Sequence, residues 1–389
     1  MSGIFKDYQN VIRRLFGLVP LLHLYIGLRL LPDMPSGWAG LALGIALLIA
    51  STLLIPLAMM SRGMPDRRRA DRLAWAGFIA MGLFSSLLVL TVLRDAVLVA
   101  GALAGLLINL DAAMPAFRAW SAPAVPGLAA LLSVAGFFNA RRRAAVRRVD
   151  VPVDGLPAAL QGFTIVQITD VHVGPTVKRA YLEAIVEAVN ALKPDLVAVT
   201  GDMVDGRVAE LASHVAPLAM LRARHGVVCV TGNHEYYSGV HAWVAEFRRL
   251  GLSVLMNEHV ILDHGGTPLL VAGVTDFHAG HYDPAHESDP SAAMAGAPEG
   301  IGLKLLLAHQ PRSCFAAADC GFHLQLSGHT HGGQFAPWMF FVRMQQPFTA
   351  GLHRLGAMWI YVSRGAGYWG PPLRIGAPSE ISSIRLVAA

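Results

Sequence analysis

FTIVQITDVH, residues 163–172, is the stretch from which the fold can be read. Its first seven residues form a short, uncharged, mostly apolar and β-branched run, the pattern of a strand buried on both faces. The run stops at Asp170-Val171-His172. Alternate residues of an extended chain point the same way, so Asp170 and His172 can face one object. The arrangement recurs downstream. DLVAVT (195–200) ends in Gly201-Asp202-Met203-Val204-Asp205, and GVVCVT (226–231) ends in Gly232-Asn233-His234-Glu235. The run at 302–308 leads into His309-Gln310-Pro311, and that at 322–327 into Gly328-His329-Thr330-His331-Gly332-Gly333-Gln334. VKRAYLEAIVEAVNAL (177–192) has helical periodicity, a second helix is expected at about 240–250, and further strands at 268–274, 358–362 and 382–387. Alternating strands and helices define an α/β domain, and α/β sheets bind ligands at the carboxyl ends of their strands. Five strands therefore deliver Asp, His and Asn to one edge.

The residue types have a chemical logic. Imidazole suits transition metals, while carboxylate and amide oxygens suit hard or borderline divalent ions. One Asp can bridge two ions, and two ions about 3.5–4 Å apart can clamp a phosphoryl group and activate a water. The glycines before Asp202, Asn233 and His329 permit tight turns and close backbone approach. A lone Asp-x-His or Gly-Asp is ordinary turn chemistry; an ordered set of five, each after a strand, is not.

At these residues the sequence resembles the calcineurin-like metallophosphoesterase superfamily, and within it the transmembrane proteins with a metallophosphoesterase domain. The Gly-Asn-His-Glu and Ser-Gly-His-Thr-His-Gly-Gly-Gln blocks carry the resemblance most specifically, over roughly residues 160–389. It implies a four-layer α/β/β/α sandwich with two facing sheets. It implies that Asp170, His172 and His331 hold a first metal, that Asn233, His309 and His329 hold a second, and that Asp202 bridges them. His234 would donate to the phosphate and leaving group, and Asp205 would orient it. Related phosphatases often place an Arg directly after the second Asp of this block. Here Gly206 intervenes before Arg207, a departure from the pattern. Arg207 and Arg364 are the substrate-binding candidates. The cofactors are two divalent ions drawn from Mn, Fe, Zn or Co, among which the ligands do not choose.

Residues 1–148 are of another kind. The chain as a whole is 54% hydrophobic and 15% charged, outside the balance of a soluble domain, and nearly all the long apolar runs fall between residues 11 and 140. A spanning helix needs about 20 apolar residues. Segments 38–60, 73–93 and 120–140 meet this, 11–31 is weaker, and 96–110 is short enough to be a short span or a re-entrant segment. Four or five spans are expected, followed by a catalytic domain over 149–389. No small-residue cleavage site follows the N-terminal apolar stretch, so a removed signal peptide is not expected. Arginines cluster at 13–14, at 62–72 and at 141–148. The positive-inside rule places all three clusters in the cytoplasm, which needs an even number of spans. A multi-pass protein of the inner membrane with a cytoplasmic catalytic domain is therefore expected. Five spans would instead export that domain.

The other signals carry less. Three cysteines, Cys229, Cys314 and Cys320, form neither a zinc spacing nor a disulfide framework. Gly365-Ala366-Gly367-Tyr368-Trp369-Gly370 matches a dinucleotide fingerprint by letter, but Pro371-Pro372 follows where a helix would have to open. His278, His281 and His286, with Asp283 and Glu287, read as solvated loop residues in preference to a third metal site. Tyr236, Tyr237, Trp338, Phe340 and Phe341 read equally as a greasy lip beside a membrane or as ordinary packing. Net charge is +5, but the arginines sit beside apolar runs and no nucleic-acid motif accompanies them, so no nucleic-acid partner is expected. The expected partners are the bilayer and a lipid-linked phosphate substrate. The resemblance extends to cleavage of the pyrophosphate of a UDP-diacylglucosamine lipid A precursor. The competing class is a silent membrane scaffold with a degenerate phosphoesterase domain.

Overall fold

The computed structural model describes residues 17–389, so Arg13 and Arg14 lie outside the described residues. The chain divides into two compact units. One runs through Phe138 and includes Gly370–Leu373; the other holds Asn139–Trp369 and Arg374–Ala389.

The first unit is helical: α1 (17–30), α2 (Gly37–Met60), α3 (Arg67–Ala104) and α4 (Ala113–Arg141). Among the described residues, α2, α3 and α4 are long and apolar enough to cross a membrane. Leucines and isoleucines such as Leu43, Leu47, Ile49, Leu103 and Leu131 are exposed, not buried, as expected of helices that meet lipid on their outer faces. α2 and α3 approach closely where Gly77 faces Ala58 and the Leu54 carbonyl; a side chain there would collide with both.

Segment 96–110 does not form a helix of its own. Its first nine residues are the end of α3, one helix of 38 residues, roughly 57 Å long at 1.5 Å per residue. Arg94 and Asp95 fail to break this helix because both are paired within the unit. Arg94 donates to the Asp33 carboxylate, to Ser121 Oγ (2.9 Å) and to the carbonyls of Arg29 (2.9 Å) and Arg118 (3.1 Å). Asp95 accepts from Tyr25 and Arg29, each at 2.7 Å.

The second unit contains twelve strands in two six-stranded sheets. The first sheet has the order β1-β12-β2-β3-β4-β5, with β1 Ala145–Val153, β2 Thr164–Ile168, β3 Leu196–Thr200, β4 Val227–Val230, β5 Ser253–Val254 and β12 Glu380–Ala388. The second has the order β10-β11-β9-β8-β7-β6, with β6 Glu258–His264, β7 Thr267–Gly273, β8 Leu303–Leu307, β9 Leu324–Ser327, β10 Gly351–Leu355 and β11 Met358–Val362. The inner strands β2, β3 and β4 are mutually parallel, as are β7, β8, β9 and β11. All seven read as apolar runs because both of their faces are covered.

Strand alternation sorts the core into layers. Ile165, Leu196, Ala198, Val228 and Val230 meet Leu269, Val271, Leu305, Leu307, Leu324 and Leu326 between the sheets. The opposite face of the first sheet, including Val166, Ile168, Val197 and Val199, packs on α5 (Arg179–Ala191) and α8 (Val240–Arg249) through Leu182, Ile185, Val189, Trp243 and Phe247. The opposite face of the second sheet, including Leu270, Leu306 and Ile360, packs on α9 (Pro290–Met294) and α10 (Cys314–Asp319). This is the α/β/β/α sandwich. β1 includes Arg147 and Arg148, so those arginines are exposed strand residues.

Candidate metal centre

The strand ends gather the expected side chains. Asp170 and His172 follow β2, Asp202 follows β3, Asn233 and His234 follow β4, His309 follows β8, and His329 and His331 follow β9. Asp170, His172, Asp202, His329 and His331 all have positive φ, between 51° and 69°. This left-handed backbone is uncommon for residues other than glycine, and clusters of it mark functional loops. Two glycines allow the loops to close on each other. A Cβ on Gly232 would strike Asp202 Oδ1, and one on Gly328 would strike Asp170 Oδ2.

The donors form two groups. In the first, His172 Nε2 lies 3.0 Å from His331 Nε2 and 4.0 Å from Asp170 Oδ1, and His331 Nε2 lies 3.4 Å from Asp170 Oδ1. In the second, His309 Nε2 lies 3.1 Å from Asp202 Oδ2 and 3.2 Å from His329 Nδ1. Asp202 Oδ2 is also 3.9 Å from His172 Nε2, so this one oxygen stands between the groups. The other oxygen of Asp202 is occupied, accepting from the His234 backbone N–H at 2.8 Å.

These spacings fit divalent metal. Two ligand atoms each about 2.0–2.2 Å from one ion, at tetrahedral to right angles, lie roughly 3.0–3.5 Å apart. Asn233 Oδ1 and His172 Nδ1 are buried without a hydrogen-bond partner, and an orphaned amide oxygen in such a cluster calls for a cation. Electrostatics agree. Burial, then His234, hold His172 down to about 3; burial and His309 hold His329 down to about 3; burial, His172 and Arg374 hold His331 well below its ordinary value. These imidazoles are neutral, with lone pairs available. Burial opposes charge on His309, but Asp202, Asp170 and Asp276 outweigh it and raise its pKa well above normal. Burial pushes Asp170 up to about 6, with His309 opposing and Asp202 adding.

Further residues hold the donors in place. His309 Nδ1 lies 2.8 Å from the Thr200 carbonyl, which orients the ring. Asp205 Oδ1 is 3.1 Å from His234 Nδ1. Glu235, fully buried, accepts from the backbone N–H groups of Asp202 (2.9 Å), Met203 (2.8 Å) and Gly232 (2.7 Å), clamping the loop after β3 to the loop after β4. Burial and the Asp202 charge push its carboxyl up to about 7. Arg374, also buried, donates to the carbonyls of Gly367, His331 and Ala377 and reaches His331 Nδ1 at 3.1 Å. Sequence reasoning missed both. Glu235 had a signal, a Glu three residues into a loop-to-helix turn after a glycine. Arg374 had none.

The substrate-binding candidates are placed differently. Arg207 is exposed at the start of α6 (Val208–Val215). Arg364 is ion-paired with Glu380 at 3.1 Å, and its Cγ would meet a Cβ on Gly332, beside His331. The rings of Tyr237 and Trp369, both half-exposed, lie 5.1 Å and 5.6 Å from that of His234. Of the loop histidines, His286 comes together with Asp283 and with His241 of α8, away from His278 and His281. All three cysteines are free.

A sandwich whose strand ends pool Asp, His and Asn around one shared carboxylate is a metallophosphoesterase architecture. The family model for calcineurin-like phosphoesterases matches residues 163–333. The chain is 39% identical over 271 residues to a transmembrane protein with metallophosphoesterase domain from Bos taurus, covering 67% of this chain and 61% of that protein. It is 34% identical over 267 residues to an uncharacterized metallophosphoesterase of Campylobacter jejuni, covering 67% of each. Among solved structures it is similar to a 5'-nucleotidase precursor from Thermus thermophilus, with TM-score 0.37 and 15% identity over 58% of this chain and 54% of that one. The chain belongs to the calcineurin-like metallophosphoesterases, and it is membrane-associated. It spans about three-fifths of the length of its transmembrane relatives, 61% and 62% for those of Bos taurus and Danio rerio.

Proposed function

We propose that this protein hydrolyses a phosphodiester or pyrophosphate bond in a lipid-linked substrate, using two divalent ions, on the cytoplasmic side of the inner membrane. The observation that carries the hydrolytic reading is the placement of Asp202 Oδ2 between two separate donor groups, 3.1 Å from His309 and 3.9 Å from His172. Asp170, His172 and His331 would hold one ion, and Asn233, His309 and His329 the other, with Asp202 shared. Bound there, the ions would polarise the phosphoryl oxygens and lower the pKa of a water.

The chain's own groups supply the rest. His234 is not needed as a ligand, and its ring is oriented from behind by Asp205. It would donate a proton or hydrogen bond to the departing oxygen. Arg364, set beside the His331 loop, would add positive potential for an anionic substrate. Arg207, exposed two residues after Asp205, would act only on the outer part of a large substrate.

Support for a lipid-linked substrate comes from the surface of the catalytic unit. Trp338, Phe340, Phe341 and Met344 are exposed on and just after α11 (Trp338–Val342). That helix packs directly on Gly333 of the His331 loop. Aromatic and methionine side chains in this setting suit a membrane–water interface. Support for the cytoplasmic side comes from the arginines at 67–72 and 141–143, at two helix ends.

The test is hydrolysis by detergent-purified protein, stripped with chelator and reloaded with Mn²⁺ or Zn²⁺. Bis-aryl phosphodiesters and nucleotide-linked lipids, UDP-diacylglucosamine among them, are the substrates. Turnover that needs metal and is faster on the lipid-linked compounds is expected. Stoichiometric metal with no turnover on any of them would refute the hydrolase reading, and absence of stoichiometric metal would favour the scaffold.

A further inference from the structure

We infer that His241, Asp283 and His286 form a separate metal site, with zinc as its best-matched ion. The three come from different elements. His241 is in the first turn of α8, while Asp283 and His286 flank a turn in the 279–289 segment, three residues apart. Each offers one ligand atom, and all of these atoms lie within 4.8 Å of one another. Asp283 Oδ2 is 3.4 Å from His241 Nε2 and 3.9 Å from His286 Nε2. Zinc with ligands at about 2.0–2.2 Å in tetrahedral array needs ligand atoms roughly 3.3–3.5 Å apart. The first of these pairs meets this, the second needs about half an ångström of closure, and the third, His241 with His286, lies within 4.8 Å and closes by rotation of the exposed His241 ring.

The remaining atoms of His286 and Asp283 are already engaged in ways that aim their ligand atoms inward. His286 Nδ1 is hydrogen-bonded to the Tyr236 hydroxyl at 3.2 Å. An imidazole that gives its Nδ1 proton to such a partner presents a lone pair at Nε2. Asp283 Oδ1 accepts from the Ala285 backbone N–H at 3.1 Å, which leaves Oδ2 for the ion. Two imidazoles and a carboxylate make a three-ligand site with one open position.

The site also has a place in the molecule. Tyr236 is on α7 (Asn233–Ser238), the short helix that carries Asn233 and His234. Tyr282, next to Asp283, contacts the ring of Tyr237 at 5.6 Å, and Tyr237 in turn contacts that of His234 at 5.1 Å. An ion joining α8 to the 279–289 segment would hold Tyr236, Tyr282 and hence α7 in position. The inference does not rest on the hydrolytic reading.

The experiment is metal counting on full-length protein in detergent. Wild type, His241→Ala, His241→Ala/His286→Ala and Asp202→Ala are equilibrated with equimolar-to-fivefold Zn²⁺ and desalted through a weak chelator. His241 is three-quarters exposed on a helix, so alanine there is compatible with folding. The single and double variants are expected to retain one zinc per chain fewer than wild type, and to lose part of the Zn²⁺-dependent rise in Tm. Asp202→Ala is expected to keep this ion while losing metal at the main centre. Equal zinc in wild type and His241→Ala would overturn the inference, as would an extra ion retained only before the chelator step. A protein inactive on every phosphate substrate that still loses one zinc on His241→Ala would keep this site and lose the proposed activity.

Discussion

Each unit of this protein buries charged side chains, and each settles them differently. In the helical unit Arg94 is 4% exposed, yet it donates to a carboxylate, a hydroxyl and two carbonyls contributed by other segments. In the catalytic unit the side chains gathered at the strand ends are mostly acceptors. Neutral imidazoles lie 3.0 Å from each other and 3.4–4.0 Å from carboxylates, and an amide oxygen has no donor. A buried cation with a full set of acceptors is a structural device that ties helices together. A buried cluster of acceptors is a set of groups that could hold a cation. Burial alone does not separate the two; the balance of donors to acceptors does.

That contrast can be broken by substitution. Asp202→Ala removes the oxygen shared by both donor groups, and a fall in turnover on the order of 10⁴-fold or more is expected, with loss of bound metal. Near wild-type activity with metal still bound would show that the central donor set is misassigned. His234→Ala should lower kcat by roughly 10²–10⁴-fold while leaving metal content unchanged, with the smaller loss on substrates that have an acidic leaving group. If metal is lost along with rate, His234 belongs among the ligands. Asp205→Asn is expected to cost about 10–100-fold in kcat, as for residues that orient another group; no change would mean that His234 is held by its ring neighbours alone. Arg94→Met should leave kcat and metal content intact and lower stability in detergent by about 1–3 kcal/mol, because Asp33 is left without its partner but is partly exposed. The check is Tm beside metal content. A loss of activity at unchanged Tm would erase the distinction between the two regions.

The strands legible from sequence are those with neighbours on both sides. β2, β3, β4, β7, β8, β9, β11 and β12 all read from their apolar runs, within a residue or two at most ends. The four that did not, β1, β5, β6 and β10, are the four sheet edges. β1 carries Arg147, Arg148 and Asp150, and β6 runs Glu258 to His264 with only partial burial. Edge strands are kept charged and half-exposed, which avoids pairing with other chains and erases the apolar signal. The donors were legible for the opposite reason: each sits directly after a buried run, so local position implied spatial convergence. Segment 96–110, read from its length as a short span or a re-entrant segment, instead continues α3 through Ala104, and the Arg94 and Asp95 charges just before it find their partners, Asp33, Tyr25 and Arg29, about sixty to seventy residues away.

By itself the sequence determined the layered class of the catalytic unit, the apolar helices before it, and that Asp, His and Asn follow its buried strands, because each depends on patterns within ten residues. Tertiary structure alone decided which oxygen stands between the donor groups, and that Glu235 and Arg374 brace the loops. It also decided that Asp283 and His286 meet His241 instead of His278 and His281. These are meetings between segments brought together by the packing of sheets and helices, and their distances follow from backbone positions that no local run of residues encodes.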